Sequence, residues 1–331
     1  MVPTYHVYGI GNALVDYEYR VSDALLARMG VEKGVMTLVD EARQQEVLGA
    51  LGDTFCKRAS GGSAANTLIA VSQLGGRAFY SCKVASDYNG DFYYRDLVAA
   101  GVNTNIGSAN REAGVTGTCL VMVSEDAERT MNTHLGITAA ISEAELVEEA
   151  ILDSQYIYME GYLAPSPSGQ QATLKARQIA RRHGVKVALT FSDSNMVRFF
   201  RKELDLMVGD GVDILFCNEA EALLYTGKAD IFAAADALRN IAGTFAVTRG
   251  EQGALLWDGN AMVEVPTPRV QPVDTNGAGD MFAGAFLYGI THGLSFPAAG
   301  KLACTAAAHV VTQFGPRLTL EQTRQLLEEM H

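Results

Sequence analysis

The chain is short of positive charge. Twenty-six Lys and Arg stand against 38 Asp and Glu, a formal net charge of -12. Nucleic-acid backbones are held chiefly by Lys and Arg, so this balance argues against a DNA or RNA partner. It leaves room for a small anion held by local dipoles. Paired cysteines are lacking too. Cys56, Cys82, Cys119, Cys217 and Cys304 are scattered, with no Cys-x-x-Cys and no Cys/His zinc spacing. Scattered thiols in odd number, and a start (MVPTYHVYGIG) without a basic leader, lead to the expectation of a reduced, cytoplasmic protein. No apolar run approaches ~18 residues, so no membrane span is expected. Two nucleotide signatures are missing as well. Gly9 and Gly11 follow a strand-like run, but the third glycine of a dinucleotide fingerprint would fall on Leu14. Gly227-Lys228 and Gly300-Lys301 lack the Ser/Thr and the upstream glycine of a phosphate-binding P-loop.

What is present is a chain of 331 residues, 48% hydrophobic and 19% charged. That suits one large α/β domain, or a core with a smaller appendage. YHVYGI, QYIYM, KVALTF, VDILFC, TFAVTRG and GALLW read as strands, with helical patterns between most of them. Such alternation implies a largely parallel sheet covered on both faces. Residues 115–133 differ: two β-like runs flank SEDAE, a hairpin signal. With residues 17–38 they are expected to form a separate small sheet.

The motif that carries chemistry is VDTNGAGDMFAGAF, near the end. Gly277 and Gly279 precede Asp280, and an apolar helical run follows. One reading is capping: an acid in the first turn complements the helix dipole. The other is an anion site with its own base, in which backbone amides approach a charged ligand and Asp280 accepts a proton. SGGSAAN gives two more readings. It is a well-capped loop, or it is a bare backbone surface, at Gly61 and Gly62, for a polyhydroxyl ligand. Asn66 and Asp16 suit vicinal hydroxyls as amide and carboxylate. Asn218 is an N-cap, or joins Glu221 one turn later to hold Mg²⁺ through water. Thr248, Gly250 and Gly253 surround a tight turn, either a plain hairpin or a phosphate edge.

Taken in order, GNALVD, GGSAANT, NEAE, VTRGEQGA and DTNGAGDMFAGAF resemble the PfkB, or ribokinase-like, carbohydrate and nucleoside kinases over essentially the whole chain. Within them the likeness is greatest to adenosine kinases, through VSDALLARMGVEKGVMTLVDE and TGTC, with Cys119, followed by Arg129. The resemblance implies a doubly wound, mostly parallel α/β core (1–16, 40–113 and 138–331) with a small β lid (17–39 and 114–137). It implies phosphoryl transfer from ATP to a primary alcohol, adenosine first, with inosine, guanosine or a sugar such as ribose or fructose as alternatives and a ligand-binding regulator on the same fold as the non-enzyme reading. Asp280 would be the base, and the amides around Gly277, Ala278, Gly279 and Asp280 would steady the phosphoryl group. Asn12, Asp16, Gly61, Gly62 and Asn66 would hold the acceptor, with Cys119 and Tyr162 beside it. Arg129, Asn218, Thr248, Gly250 and Gly253 would face the nucleotide. Asn218 and Glu221 would organise Mg²⁺, and a monovalent cation such as K⁺ would sit near Asp274. One departure touches the purine: in SDSNMV, Asn195 stands where eukaryotic adenosine kinases carry an aromatic. A monomer or homodimer is expected.

Overall fold

Val7 and Tyr8 are chain neighbours and both fully buried, yet they pack into different apolar clusters. Successive strand side chains point to opposite faces, so this strand lies in a sheet covered on both sides. The computed structural model describes residues 3–52, 55–107 and 111–329. Its strands are β1 (Tyr5–Ile10), β2 (Leu14–Arg20), β3 (Met36–Leu38), β4 (Phe55–Gly61), β5 (Ala78–Ser81), β6 (Asn103–Thr104), β7 (Thr116–Val123), β8 (Arg129–Gly136), β9 (Ser154–Glu160), β10 (Lys186–Thr190), β11 (Val212–Asn218), β12 (Ala242–Thr248), β13 (Ala254–Trp257) and β14 (Met262–Val265).

Nine strands form the main sheet, in the order β14-β13-β12-β11-β10-β9-β1-β5-β6. From β12 to β6 every pairing is parallel; β13 and β14 close one edge as an antiparallel meander. The chain winds outward from β1 through β5 to β6, then restarts at β9 on the other side of β1. That reversal opens a crevice at the carboxyl ends of β1 and β9, the place where doubly wound sheets bind ligands.

The second sheet has the order β3-β8-β7-β2-β4. It corrects the expected boundaries in two places. The small sheet begins at Leu14, not 17, and it takes in β4, which lies inside the segment 40–113 assigned to the core. FCKRASG has no apolar alternation to announce a strand. It is one because its backbone pairs with β2, setting Asp16 opposite Ala59 and Leu14 opposite Gly61. Cys82, Cys119, Cys217 and Cys304 are buried free thiols; the side chain of Cys56 lies outside the described residues. Among the described residues no helix is long and apolar enough to cross a membrane.

Two helices bring the chemistry to the crevice. Ser63–Gln73 follows β4, and Ala278–Thr291 follows the late glycine motif. They cross closely because Gly284 has no side chain: a Cβ there would lie 2.5 Å from the Thr67 carbonyl oxygen. The approach sets Asn66, in the first turn of one helix, beside Asp280 in the first turn of the other.

Candidate active site

A cavity of about 760 Å³ lies between the carboxyl edge of the main sheet and the second sheet. Asn12, Glu160, Thr190, Asn218 and Thr248 reach it from the ends of β1, β9, β10, β11 and β12. Leu14, Asp16, Cys119, Arg129 and Leu135 reach it from the second sheet.

Asp280 sits at its floor. Ser63 Oγ donates to Oδ1 at 2.7 Å and Asn66 Nδ2 to Oδ2 at 3.1 Å. Burial raises the pKa of this carboxyl; the two donors, and the charge of Arg129, oppose that. Gly277, Ala278 and Gly279 line the same floor. The amides of Gly279 and Asp280 have no hydrogen-bond partner among the described residues, as the first turn of a helix leaves them. A Cβ on Gly279 would meet nothing within 4 Å, so that face of the turn is open. A helix N-terminus open to a cavity favours an anion there.

Asp16 faces the cavity from β2. Burial is the main reason its pKa rises to about 8, with Glu18 and Asp280 adding to it and Arg317 opposing. Among the described residues no hydrogen bond reaches its carboxylate. A ligand with paired hydroxyls would supply the donors it lacks. Gly61 serves this residue and not the ligand. It does not line the cavity; a Cβ there would stand 2.1 Å from Asp16 Oδ2. Gly62 does line it, beside Asn66 and Asn12.

The opposite end of the cavity is built from β11, β12 and the hairpin of β7 and β8. Asn218 and Glu221 form a reciprocal cap: Asn218 Oδ1 accepts from the Glu221 amide at 2.8 Å, and Glu221 Oε1 accepts from Asn218 Nδ2 at 2.7 Å. Glu221 is buried, and chiefly for that reason its pKa rises to about 7. Two of its roughly four acceptor sites are used by Asn218, so the carboxylate can still take water of a hydrated cation from the cavity side. Among the described residues no group of three or more acidic, His or Cys side chains could close a metal cage. One carboxylate with free acceptor sites fits Mg²⁺, which keeps its waters and leans on phosphates. Arg129 reaches from β8 to the core, with Nη1 donating to Asn276 Oδ1 at 3.1 Å. Asn276 Nδ2 is buried with no acceptor among the described residues. Asp274 accepts from two backbone amides, those of Asn276 and Gly315. Thr248 lines the cavity; Gly250 and Gly253 do not. Their positive φ values, 54° and 84°, form the turn into β13.

Tyr162 and Cys119 line the cavity. Asn195 does not; its backbone N–H donates to Asp193 Oδ1 in the helix turn, and Met196 is the neighbour that lines the cavity. Sequence reasoning also missed Glu160, Ser63 and Arg317. Glu160 is fully buried and accepts from the amides of Asn12 (2.6 Å) and Ala64 (2.8 Å), tying β1 to the Ser63 helix. Burial is the main cause that pushes its pKa up to about 7. Its position at the end of a parallel strand was the available signal; for Arg317 there was none.

Three comparisons fit this geometry. The pfkB family carbohydrate kinase pattern matches residues 40–323. A probable sugar kinase from Rhizobium etli CFN 42 is 36% identical with a TM-score of 0.92, covering 99% of this chain and 100% of that one. Adenosine kinase from Sinorhizobium meliloti is also 36% identical, TM-score 0.91, covering 98% and 99%. Mouse ribokinase is 30% identical over 69% of this chain and 70% of its own. Fold and relatives define an ATP-dependent kinase that phosphorylates a hydroxyl group. The chain belongs to the pfkB family of carbohydrate kinases.

Proposed function

We propose that this kinase transfers the γ-phosphoryl group of ATP to the 5′-hydroxyl of a purine nucleoside, adenosine first. The observation that carries the reading is the wall beyond Asp16 and Asn66. Met36, Leu38, Met131, Leu135, Tyr162 and Met196 continue the cavity as an apolar slot, more than a bare pentose needs. Asp16 and Asn66 take the ribose hydroxyls, with Asn12 and the Gly62 backbone beside them. Asp280 accepts the proton of the 5′-hydroxyl, and Ser63 and Asn66 hold its carboxylate in place. The free amides at the start of the Ala278 helix stabilise charge on the phosphoryl oxygens. Arg129, Asn218 and Thr248 form the nucleotide side, and the turn at Gly250 and Gly253 borders it outside the cavity. Asn218 and Glu221 hold hydrated Mg²⁺, which neutralises phosphate charge. Asp274 remains the candidate for a monovalent cation.

The second sheet acts as a lid over the core. Water left beside the γ-phosphate would compete with the acceptor, so closure has a chemical purpose. A sugar acceptor is the second reading, favoured by the ribokinase and probable sugar kinase among the relatives. The S. meliloti adenosine kinase, at equal identity, favours the first. Steady-state kcat/KM for adenosine, inosine, guanosine, ribose and fructose, at saturating MgATP, separates them. Adenosine is expected to lead; a free sugar that outperforms every nucleoside overturns the nucleoside assignment.

A further inference from the structure

Arg317 lies far from every motif, in the segment between the helices Phe296–Val310 and Leu320–Glu329. Its guanidinium is nevertheless the hub beneath the acceptor side of the cavity. Nε donates to Asn66 Oδ1 at 3.3 Å, Nη1 to Asp96 Oδ2 at 2.8 Å and Nη2 to Ser60 Oγ at 2.9 Å. The side chain is only 11% exposed. Asp96 sits on the helix Tyr88–Ala99, Ser60 on β4 and Asn66 on the Ser63 helix, so one planar group joins three segments to a fourth. Ser60 closes the set by donating to Asp96 Oδ2 from both its amide and its hydroxyl.

Two consequences follow for the acceptor groups. An amide has one oxygen and one NH₂. With a donor fixed on Oδ1, Asn66 must turn its NH₂ toward Asp280, where it donates at 3.1 Å. The second consequence is electrostatic. The charged groups that act on the buried Asp16 are Glu18 on its own strand, Asp280 from the Ala278 helix and Arg317 from the C-terminal segment. Two are acids; Arg317 is the cation among them.

We propose that Arg317 is a positioning residue for phosphoryl transfer: it fixes the Asn66 amide between acceptor and base, and it sets its positive charge against the buried acids Asp16 and Glu18 on the acceptor side. The proposal rests on the acceptor site assigned above, whichever alcohol occupies it. A lysine cannot replace the arginine, because one ammonium does not present three donors in a planar fan.

The test uses the full chain and the best acceptor of the screen above. Arg317→Gln is expected to raise acceptor KM about tenfold or more, while ATP KM stays within twofold. The acid limb of kcat/KM for the acceptor is expected to move to higher pH, because loss of the cation raises the Asp16 pKa further. Arg317→Lys keeps the charge, so its limb stays near wild type while acceptor KM still rises. Asp96→Asn leaves the guanidinium without its counter-charge, and its limb is expected to move the other way, to lower pH. A merely structural arginine would reduce the amount of active enzyme without these opposed shifts. Folded Arg317→Gln with wild-type acceptor KM and acid limb overturns the proposal, as does an equal rise in ATP KM. If Arg317→Gln does not fold, Arg317→Lys and Asp96→Asn decide: wild-type acceptor KM in the first, or an unmoved limb in the second, overturns it. Failure of the acceptor assignment itself looks different: Asp280→Asn would then turn over the same alcohol at the wild-type rate.

Discussion

Asp280→Asn exchanges one carboxylate oxygen for an NH₂ and leaves the volume unchanged. Its effect follows from the two donors that meet the carboxylate. Ser63 Oγ lies 2.7 Å from Oδ1, and Asn66 Nδ2 lies 3.1 Å from Oδ2. The variant keeps one acceptor for two donors. If its oxygen stays with Ser63, its NH₂ faces the NH₂ of Asn66. Asn66 cannot relieve this by turning over, since its NH₂ would then face Arg317 Nε. An unsatisfied buried polar group costs on the order of 1–3 kcal/mol, part of it felt as weaker acceptor binding. The larger loss is chemical. A positioned general base contributes roughly 10²–10⁴-fold. At about 1.36 kcal/mol per tenfold, that is about 2.7–5.4 kcal/mol of barrier. ADP release at saturating ATP and acceptor should show kcat lower by that factor, with ATP KM little changed and a normal thermal melt. The pH profile adds a second readout. Burial raises the Asp280 pKa, so wild-type kcat falls as pH drops through that raised value; the residual rate of the variant should be flat there. A kcat within threefold of wild type, or an acid limb retained in the variant, refutes the assignment of Asp280 as base.

Gly279→Ala should fold normally, because its Cβ meets nothing within 4 Å and its φ is not positive. The methyl would stand at the open helix end, so kcat should fall at least ~10²-fold, the scale of losing an oxyanion-type donor; near-normal turnover with an unchanged melt would contradict a phosphoryl site there. Gly61→Ala should act through Asp16, since the Cβ would overlap its carboxylate at 2.1 Å; calorimetry should show weakened acceptor binding with ATP binding intact, and the reverse would contradict it. Stability should depend on pH in a defined sense. Asp16, Glu160 and Glu221 have folded pKa values raised mainly by burial to about 8, 7 and 7, above unfolded values near ~4. The stability linked to their protonation is complete below about pH 4 and lost as pH rises through about 7–8. The ligand-free Tm should therefore decline from pH 5 to 8, and a flat or rising Tm would count against these buried carboxyls.

The layered fold was legible because its signals are local. Short apolar strands separated by helical stretches imply a parallel sheet, and SEDAE between β-like runs marks the hairpin of β7 and β8. β4 was illegible because FCKRASG is stabilised by its ladder with β2 and not by its own pattern. Met196, and not Asn195, lines the cavity, and motif spacing could not tell them apart because it says nothing about which side of a helical turn faces inward.

The sequence by itself determined the two helix starts, the glycines that bare their backbones, and the carboxylate in the first turn of the second. These are properties of a few consecutive residues, and backbone sterics and helix dipoles act at that range. Tertiary structure decided which acids are buried and therefore poised near neutral pH. It also decided that Asn66 and Asp280, 214 residues apart, share a hydrogen bond, and that Arg317, 251 residues from Asn66, holds that amide. Burial and long-range contacts come from packing whole segments together, and no short stretch of residues carries that information.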